Sequence, residues 1–182
     1  MQRVKKSFVG LLLLISAVHA YGEENVTTNI LELSPGIGYF SFDNNRQIEN
    51  QVMGTLGFGM HLSRRWATLL NYSVLRTKST GSASGENVDM KKYHVDVYRF
   101  FNVENRLRPY ITAGVGGLQI DQQDDVGTDT QWNAGLGLSY RITAKWFIRS
   151  DARFFYNFSG HSSDMALTLT PVYRFAEGER GD

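Results

Sequence analysis

Close to the end of the 182-residue sequence, residues 168–175 read Thr168-Leu169-Thr170-Pro171-Val172-Tyr173-Arg174-Phe175. The large apolar and aromatic residues of this stretch share one parity with the proline, and its threonines and arginine share the other. Side chains of a β-strand alternate between the two faces of a sheet, so this stretch predicts a strand with one apolar face. The same two-residue rhythm recurs along most of the chain.

Eight segments follow this rhythm, and each is long enough to cross a bilayer as a tilted strand of about 9–11 residues. They span residues 28–41, 49–60, 66–77, 89–101, 107–120, 130–142, 146–158 and 164–175. The connections are tight at 61–65, 102–106 and 143–145, longer and polar at 43–48, 77–88 and 121–129, and short at 159–163. Short turns that alternate with longer loops are typical of an even-stranded barrel in a bacterial outer membrane.

Parity divides each segment into an apolar face and a face that is polar or rich in glycine. In residues 130–142 the apolar face carries Trp132, Leu136 and Leu138, and the other face carries Asn133 and Ser139. Glycines on the second face would leave room for long side chains in a narrow lumen. The alternation is less regular at residues 116–117, where we expect a β-bulge.

Aromatic residues at the strand ends favour a membrane barrel over a soluble sandwich, which would also alternate. We expect an aromatic girdle at the short-turn end, formed by Trp66, Phe101, Tyr140, Trp146, Tyr173 and Phe175. The polar face carries charges of both signs, whereas the lumen of a soluble ligand-binding barrel is apolar. The sequence therefore predicts an all-β fold, an eight-stranded antiparallel up-and-down transmembrane β-barrel, closed because lipid does not tolerate an open sheet edge.

The N-terminus has the pattern of a cleaved signal peptide. Three basic residues precede the apolar run 8–15, which is too short to span a bilayer, and small residues lead to Ala20. We expect a signal peptide at 1–20, the barrel domain at 21–175 and a polar C-terminal tail at 176–182; a retained N-terminal anchor is the alternative. Cleavage would leave 16 basic and 18 acidic residues, which argues against nucleic-acid binding. The absence of cysteine excludes disulfides and thiolate chemistry.

Residues 107–149 carry motifs of a known family. Residues 107–116, LRPYITAGVG, resemble the RPYxxAG stretch of OmpA/OprF-type outer-membrane barrels, and residues 133–140 followed by 146–149 resemble the next hairpin of that family. The closing Tyr173-Arg174-Phe175 is similar to the C-terminal assembly signal of outer-membrane barrels. The resemblance implies an eight-stranded barrel that supports envelope integrity and, in some members, adhesion or slow, narrow porin activity. It concerns the barrel domain only, because the sequence shows no peptidoglycan-binding domain.

Charged residues of inward parity are the candidates for a site in the lumen. They are Glu32, Asp96, Arg108, Arg141, Arg149, Asp151 and Arg153, with Lys92 as a further candidate. Side chains nearly fill the lumen of an eight-stranded barrel, and charges buried there must pair. We expect a structural network of ion pairs; a gated or narrow ion path is the alternative.

His161 and Ser163 form a His-x-Ser pair similar to that of lipid A deacylases of the PagL type, and Asp164 is the adjacent acid. That chemistry needs an acid that orients the histidine, and Asp164 has no clear match to the family's glutamate. We interpret these residues as an ordinary polar loop. His61 and His94 lie in different segments, so we expect no metal site. We also expect no cofactor and no catalytic residue.

The sequence thus predicts a bacterial outer-membrane barrel, not an enzyme, with a structural role in envelope integrity or a role in surface interaction. A narrow porin-like channel for small solutes or ions is the alternative, and a lipid A-modifying enzyme is a weaker one. The expected partners are outer-membrane lipid and lipopolysaccharide, and the barrel-assembly machinery through the C-terminal strand. We expect no nucleic-acid partner and a monomer.

Overall fold

The structure is a computed structural model that describes residues 30–42, 50–78, 87–122, 125–158 and 162–175. They form β1 (Ile30–Ser41), β2 (Gln51–His61), β3 (Trp66–Lys78), β4 (Asn87–Phe100), β5 (Leu107–Gln122), β6 (Asp125–Arg141), β7 (Trp146–Asn157) and β8 (Ser162–Arg174). Each strand pairs antiparallel with the next and β8 pairs with β1, so the sheet closes into a barrel. The predicted all-β, eight-stranded fold is confirmed.

Several parts of the sequence prediction fall outside the described residues: the signal peptide at 1–20, the loop at 43–48, most of the loop at 77–88, residues 159–161 with His161 of the His-x-Ser pair, and the polar tail at 176–182. In the part of the chain that the structure describes, no helix has the length and apolar character needed to cross a membrane.

The strand bounds agree with the prediction to within a few residues, except at the start of β6. The β5–β6 ladder continues to Gln122 opposite Asp125, so the long loop expected at 121–129 is wrong. The polar composition of this segment indicated a loop, but polar residues pair equally well in a hairpin that extends beyond the apolar wall. This hairpin is the longest strand pairing in the barrel.

The β-bulge expected at residues 116–117 is also absent. Tyr93 and His94 of β4 face Gly117 and Gly116 in an unbroken register. A Cβ on Gly117 would overlap the Tyr93 ring, which shows that this ring covers the glycine. The aromatic neighbour fills the space that a side chain would occupy and keeps the strands paired without a bulge.

Two of the short turns are built in the same way. In the β2–β3 turn the Ser63 hydroxyl accepts hydrogen bonds from the backbone N–H groups of Arg65 (3.2 Å) and Trp66 (3.1 Å). In the β6–β7 turn Thr143 Oγ1 accepts the corresponding bonds from Lys145 (3.3 Å) and Trp146 (3.0 Å). The hydroxyl satisfies N–H groups that the tight reversal removes from the ladder.

The seam between β1 and β8 is interrupted at two prolines. Glu32 and Leu33 pair with Arg174 and Tyr173. The pairing then stops, and it resumes at Ile37 opposite Leu169. Within the break the same register places Pro35 opposite Pro171. The Phe175 N–H donates to the Leu31 carbonyl at 2.8 Å, and hydrogen-bonded pairs recur at every second residue of an antiparallel ladder. The two prolines therefore occupy a hydrogen-bonded pair and have no N–H to contribute.

The outer wall is predominantly apolar, and the lumen is closed by a buried cluster at each end. The cluster at the loop end consists of Phe40, Phe42, Met53, Leu75, Met90, Leu118, Phe155 and Ala166. The cluster at the short-turn end consists of Ala67, Leu69, Tyr98, Phe100 and Tyr110. Polar and charged side chains fill the space around and between these clusters.

Candidate functional site

Glu32 of β1 is the centre of the polar cluster at the short-turn end. Its carboxylate is fully buried and accepts a hydrogen bond from Arg149 Nη2 at 2.8 Å and from His61 Nε2 at 2.7 Å. Arg174 Nε lies 3.5 Å from the same carboxylate as a longer ion pair. Strands β1, β2, β7 and β8 are joined through this one side chain.

Arg153 of β7 is the centre of the middle layer. Its Nε donates to Asp151 Oδ1 and its Nη1 to Asp96 Oδ2, both at 2.7 Å, and its Nη2 donates to the Tyr98 hydroxyl. The guanidinium therefore uses three nitrogens on three partners across the lumen. A buried charge satisfied in this way holds the strands that carry its partners in fixed positions.

Amides and a phenol satisfy the remaining oxygens of the two aspartates. Asp96 accepts from Asn71 Nδ2 at 2.6 Å and from Asn133 Nδ2 at 2.7 Å. Asp151 Oδ2 accepts from the Tyr110 hydroxyl at 2.8 Å. The middle layer is thus a connected network that spans β3 to β7 and includes neutral groups as well as charges.

A chain of side chains leads from the middle layer towards the loop end. His94 Nε2 donates to Gln131 Oε1 at 3.0 Å, Gln131 donates to Asn157, and Asn157 Nδ2 donates to Asp164 Oδ2 at 3.0 Å. All four side chains are buried. The chain links β4, β6, β7 and β8 through hydrogen bonds that run across the lumen.

Lys92 extends from β4 into the loop-end cluster. Its ammonium lies 3.8 Å from the centroid of the Phe40 ring and 3.5 Å from that of Phe155. Aromatic faces attract a cation, and this attraction is strongest where water is excluded. The inward direction expected for Lys92 agrees with this position.

The space left between these layers is small. Between the described residues there is a cavity of about 30 Å³, lined by residues that include Ser34, Asn71, Lys92, His94 and Arg153. A water molecule needs about 10–15 Å³ by this measure, so this cavity holds one or two waters.

The structure brings five of the predicted charges into the network and leaves two outside it. Glu32, Asp96, Arg149, Asp151 and Arg153 have the contacts given above. The expectation that Arg108 and Arg141 belong to the network is wrong. Both have inward parity, but they lie half-buried at the short-turn rim, where Arg108 donates to the Asn105 carbonyl at 3.2 Å and has Glu104 as an electrostatic neighbour.

Sequence reasoning missed the residues that complete the network. These are His61, Asn71, Tyr98, Tyr110, Asn133 and Arg174. Each has inward parity, which is the signal that could have found them. The prediction considered charged residues of that parity, although it omitted Arg174, and it passed over most of the neutral partners, which supply three of the five side-chain hydrogen bonds to Asp96 and Asp151.

The predicted girdle residues lie together at the short-turn end, on the outer wall or its rim. Trp146 contacts Tyr173 with ring centroids 4.9 Å apart, and Tyr173 contacts Phe175 at 5.0 Å. Arg99 lies near two other girdle rings: its Cζ is 5.3 Å from the centroid of the Trp66 ring and 5.5 Å from that of Phe101. Tyr140 is exposed on β6 in the same band. Amphipathic rings in such a band match a membrane–water interface.

Ser163 and Asp164, the described residues beside His161, lie on opposite faces of β8. Ser163 has outward parity on β8, whereas Asp164 is fully buried in the lumen and accepts the bond from Asn157. The carboxylate therefore lies on the opposite side of the barrel wall from the serine. Among the described residues no three acidic or histidine side chains form a group that could hold a metal ion.

Comparisons with known proteins agree with this architecture. Residues 8–175 match the family model of the outer membrane protein beta-barrel domain. The comparison with curated protein sequences gives no match. Neisserial surface protein A (NspA) is similar in structure with a TM-score of 0.65 and 12% identity, over 80% of this chain and 97% of that one.

Two further solved barrels are similar at the level of the fold. The N-terminal β-barrel domain of OprF from Pseudomonas aeruginosa has a TM-score of 0.56 and 18% identity, over 80% of this chain and 98% of that one. Ail, the attachment invasion locus protein of Yersinia pestis, has a TM-score of 0.55 and 16% identity, over 81% of this chain and 99% of that one. With the family match over most of the sequence, the chain belongs to the outer membrane protein β-barrel domain family and is a protein of the outer membrane.

Proposed function

We propose that this protein is a structural barrel that strengthens the outer membrane and does not conduct solutes. The filled lumen carries the proposal: three polar layers and two apolar clusters leave a cavity of about 30 Å³. Such a core adds stability to a membrane-spanning wall and offers no path for a hydrated ion. The same packing weighs against the narrow porin.

The contacts of Arg153 also argue against a channel. A path along the axis would have to displace a guanidinium that holds Asp96, Asp151 and Tyr98 at once. Breaking a buried pair by moving one partner costs about 3–5 kcal/mol. Spontaneous opening of the middle layer is therefore rare.

Deletion of the gene tests the structural role. Cells that lack the protein should leak periplasmic enzymes and become sensitive to detergent, and the wild-type gene should restore the barrier. A deletion strain with an intact barrier but slower uptake of small solutes would contradict the proposal and favour the porin.

A surface-interaction role is the second candidate, and the β5–β6 hairpin favours it. β7 begins its pairing with β6 at Gln131, so residues 125–129 of β6 have no strand partner on that side among the described residues. A free strand edge outside the membrane is a template for strand addition by another protein. Ail is named as an attachment invasion locus protein, and its barrel is similar to this one.

Shortening that hairpin tests the second candidate. Cells that display a protein with residues 119–128 replaced by a two-residue turn, which keeps Leu118 opposite Asp129, should adhere less to cultured epithelial cells than cells that display the wild type. Equal adherence, with equal amounts of folded protein in the membrane, would show that the hairpin does not mediate adhesion.

The proposed partners follow from the wall and the last strand. The apolar outer wall with its aromatic band suits outer-membrane lipid and lipopolysaccharide, and the end of β8 suits recognition by the barrel-assembly machinery. We include a monomeric state and the absence of enzymatic activity in the proposal. The separation of Ser163 from Asp164 supports the latter against a lipid A-modifying enzyme.

A further inference from the structure

The short-turn end of the barrel, which faces the periplasm in this family of folds, is strongly basic. The three turns at this end contain Arg64, Arg65, Arg106 and Lys145, and their acidic residue is Glu104. Glu104 is paired with Arg64 at 2.9 Å on the surface. The described residues of the three turns thus leave a net positive charge at the rim.

Three further guanidiniums gather just inside this rim. Arg174 lies with its Cζ 3.9 Å from the centroid of the Phe147 ring, and Arg108 lies 5.5 Å from the same centroid. Arg141 is directly opposite Phe147 in the β6–β7 register and is close enough to Arg108 to repel it electrostatically. We call Arg108, Arg141 and Arg174 the mouth arginines.

The carboxylates of the described residues neutralise this group only in part: Glu104 attracts Arg108 but is paired with Arg64. Glu32 already binds Arg149 and His61 through short hydrogen bonds, and it reaches Arg174 only at 3.5 Å. Gathering like charges in a half-buried position is unfavourable unless an opposite charge compensates them.

Several buried donors next to the mouth arginines have no hydrogen-bond partner among the described residues. They are Nε and Nη2 of Arg174, Nε of Arg149 and the Ser139 hydroxyl. Arg174 is only 8% exposed, and Ser139 is fully buried opposite both Arg108 and Arg149 in the register. Unsatisfied buried donors of this kind require an explanation, and a bound anion is one that also compensates the charge.

We propose that the periplasmic mouth is a binding site for a phosphate-class oxyanion, held by the mouth arginines with Ser139 as an additional donor. A guanidinium presents paired N–H groups that match two oxygens of a phosphate. The basic turns would concentrate anions at the entrance. The phosphate belongs either to a free anion of the periplasm or to the headgroup of an anionic phospholipid, and the two sources are distinguished below.

A titration of the folded protein in a phosphate-free maltoside detergent tests the site. Inorganic phosphate is added at constant ionic strength, and the arginine Nε–Hε resonances of the ¹⁵N-labelled protein are followed. The resonances of Arg174 and Arg149 should shift and saturate, while chloride at the same concentration should not shift them in this way. Shifts that never saturate, or equal shifts with chloride, would overturn the proposal.

Variants at both ends of the barrel locate the site. Arg141→Gln, which leaves every contact of Glu32 in place, should raise the Kd for phosphate about tenfold or more, as should Arg174→Gln if it folds. The matched control is Arg76→Gln, which removes an exposed guanidinium near the loop end. An unchanged Kd in Arg141→Gln, or the same increase in Arg76→Gln, would place the binding elsewhere and reject the proposal.

Nanodiscs identify the source of the phosphate. If a lipid headgroup is the natural ligand, phosphatidylglycerol nanodiscs should shift the Arg174 resonance without added phosphate, and phosphatidylcholine nanodiscs should not. If a free anion is the ligand, both nanodiscs should give the detergent spectrum until phosphate is added. Either result supports the site and names its ligand.

Discussion

Glu32 shows that the sequence predicts the direction of a side chain but not all of its partners. Parity predicts that its side chain faces the lumen, and the structure places it there, fully buried. Parity does not predict its partners His61 and Arg174, because it fixes the face of a strand but not the height at which side chains meet. In a barrel that height depends on the stagger between strands, which no local pattern encodes.

Removing the Glu32 carboxylate should leave Arg149 buried without its partner. We expect Glu32→Ala to lower the free energy of unfolding by about 3–5 kcal/mol, measured by urea titration of tryptophan fluorescence in lipid vesicles. Glu104→Ala is the matched control, because its pair with Arg64 is exposed and is expected to contribute less than about 1 kcal/mol. Equal losses in the two variants would show that the Glu32 cluster contributes no more than a surface pair.

Gly114 provides a second test at the residue scale, because it makes room for the central aspartate of the network. A Cβ at this position would overlap Asp96 Oδ1 and lie 2.6 Å from the Val95 carbonyl oxygen. We expect Gly114→Ala to destabilise the barrel by about 1–3 kcal/mol in the same titration. Gly54→Ala is the control, because its Cβ would meet nothing closer than Val74 Cγ2 at 3.7 Å. If both variants unfold alike, Asp96 has more freedom than its contacts indicate.

At the scale of the element, strands were predictable where apolar and polar residues alternate, and turns where short polar stretches interrupt them. The start of β6 was not predictable, since residues 125–129 are polar and pair in a hairpin beyond the wall. The bulge at Gly116 and Gly117 was predicted from glycine alone, whereas the ring of Tyr93, which keeps the ladder regular, comes from the neighbouring strand. Both errors arise from partners that are distant in sequence.

Replacing the two prolines of the β1–β8 seam should stabilise the closed barrel. Pro35→Val combined with Pro171→Val should add two ladder hydrogen bonds at the closing pair, each contributing about 0.5–1.5 kcal/mol. Both side chains are exposed on the outer wall, so valine fits without repacking. We therefore expect the double variant to unfold more slowly in urea than the wild type.

Pro109→Val is the control for the seam variant. Pro109 lies near the start of β5, and its carbonyl already accepts the Phe101 N–H at 2.8 Å near the water-exposed rim. Its replacement adds at most one bond, at the water-exposed rim, and should therefore slow unfolding less than the double seam variant does. A double seam variant that unfolds as fast as Pro109→Val, or faster than the wild type, would show that the seam gains nothing from those bonds.

At the scale of the whole molecule, the sequence predicted the closed barrel, its eight strands and its lipid-facing side. It also predicted that the lumen contains paired charges. It did not predict that amides and tyrosines would complete the network, that Arg174 would pair with Glu32, or that Arg108 and Arg141 would lie outside the network. The closure of the lumen is a property of all eight strands together, because each layer takes side chains from strands on opposite sides of the barrel.

Single-channel recording in planar lipid bilayers tests whether this lumen is closed. The protein should first be shown to be folded by its different migration in boiled and unboiled samples on a denaturing gel. We expect a conductance equal to that of the bare bilayer, because side chains of the described strands fill the lumen around a cavity of about 30 Å³. Discrete, reproducible current steps from the folded wild-type protein would contradict this expectation.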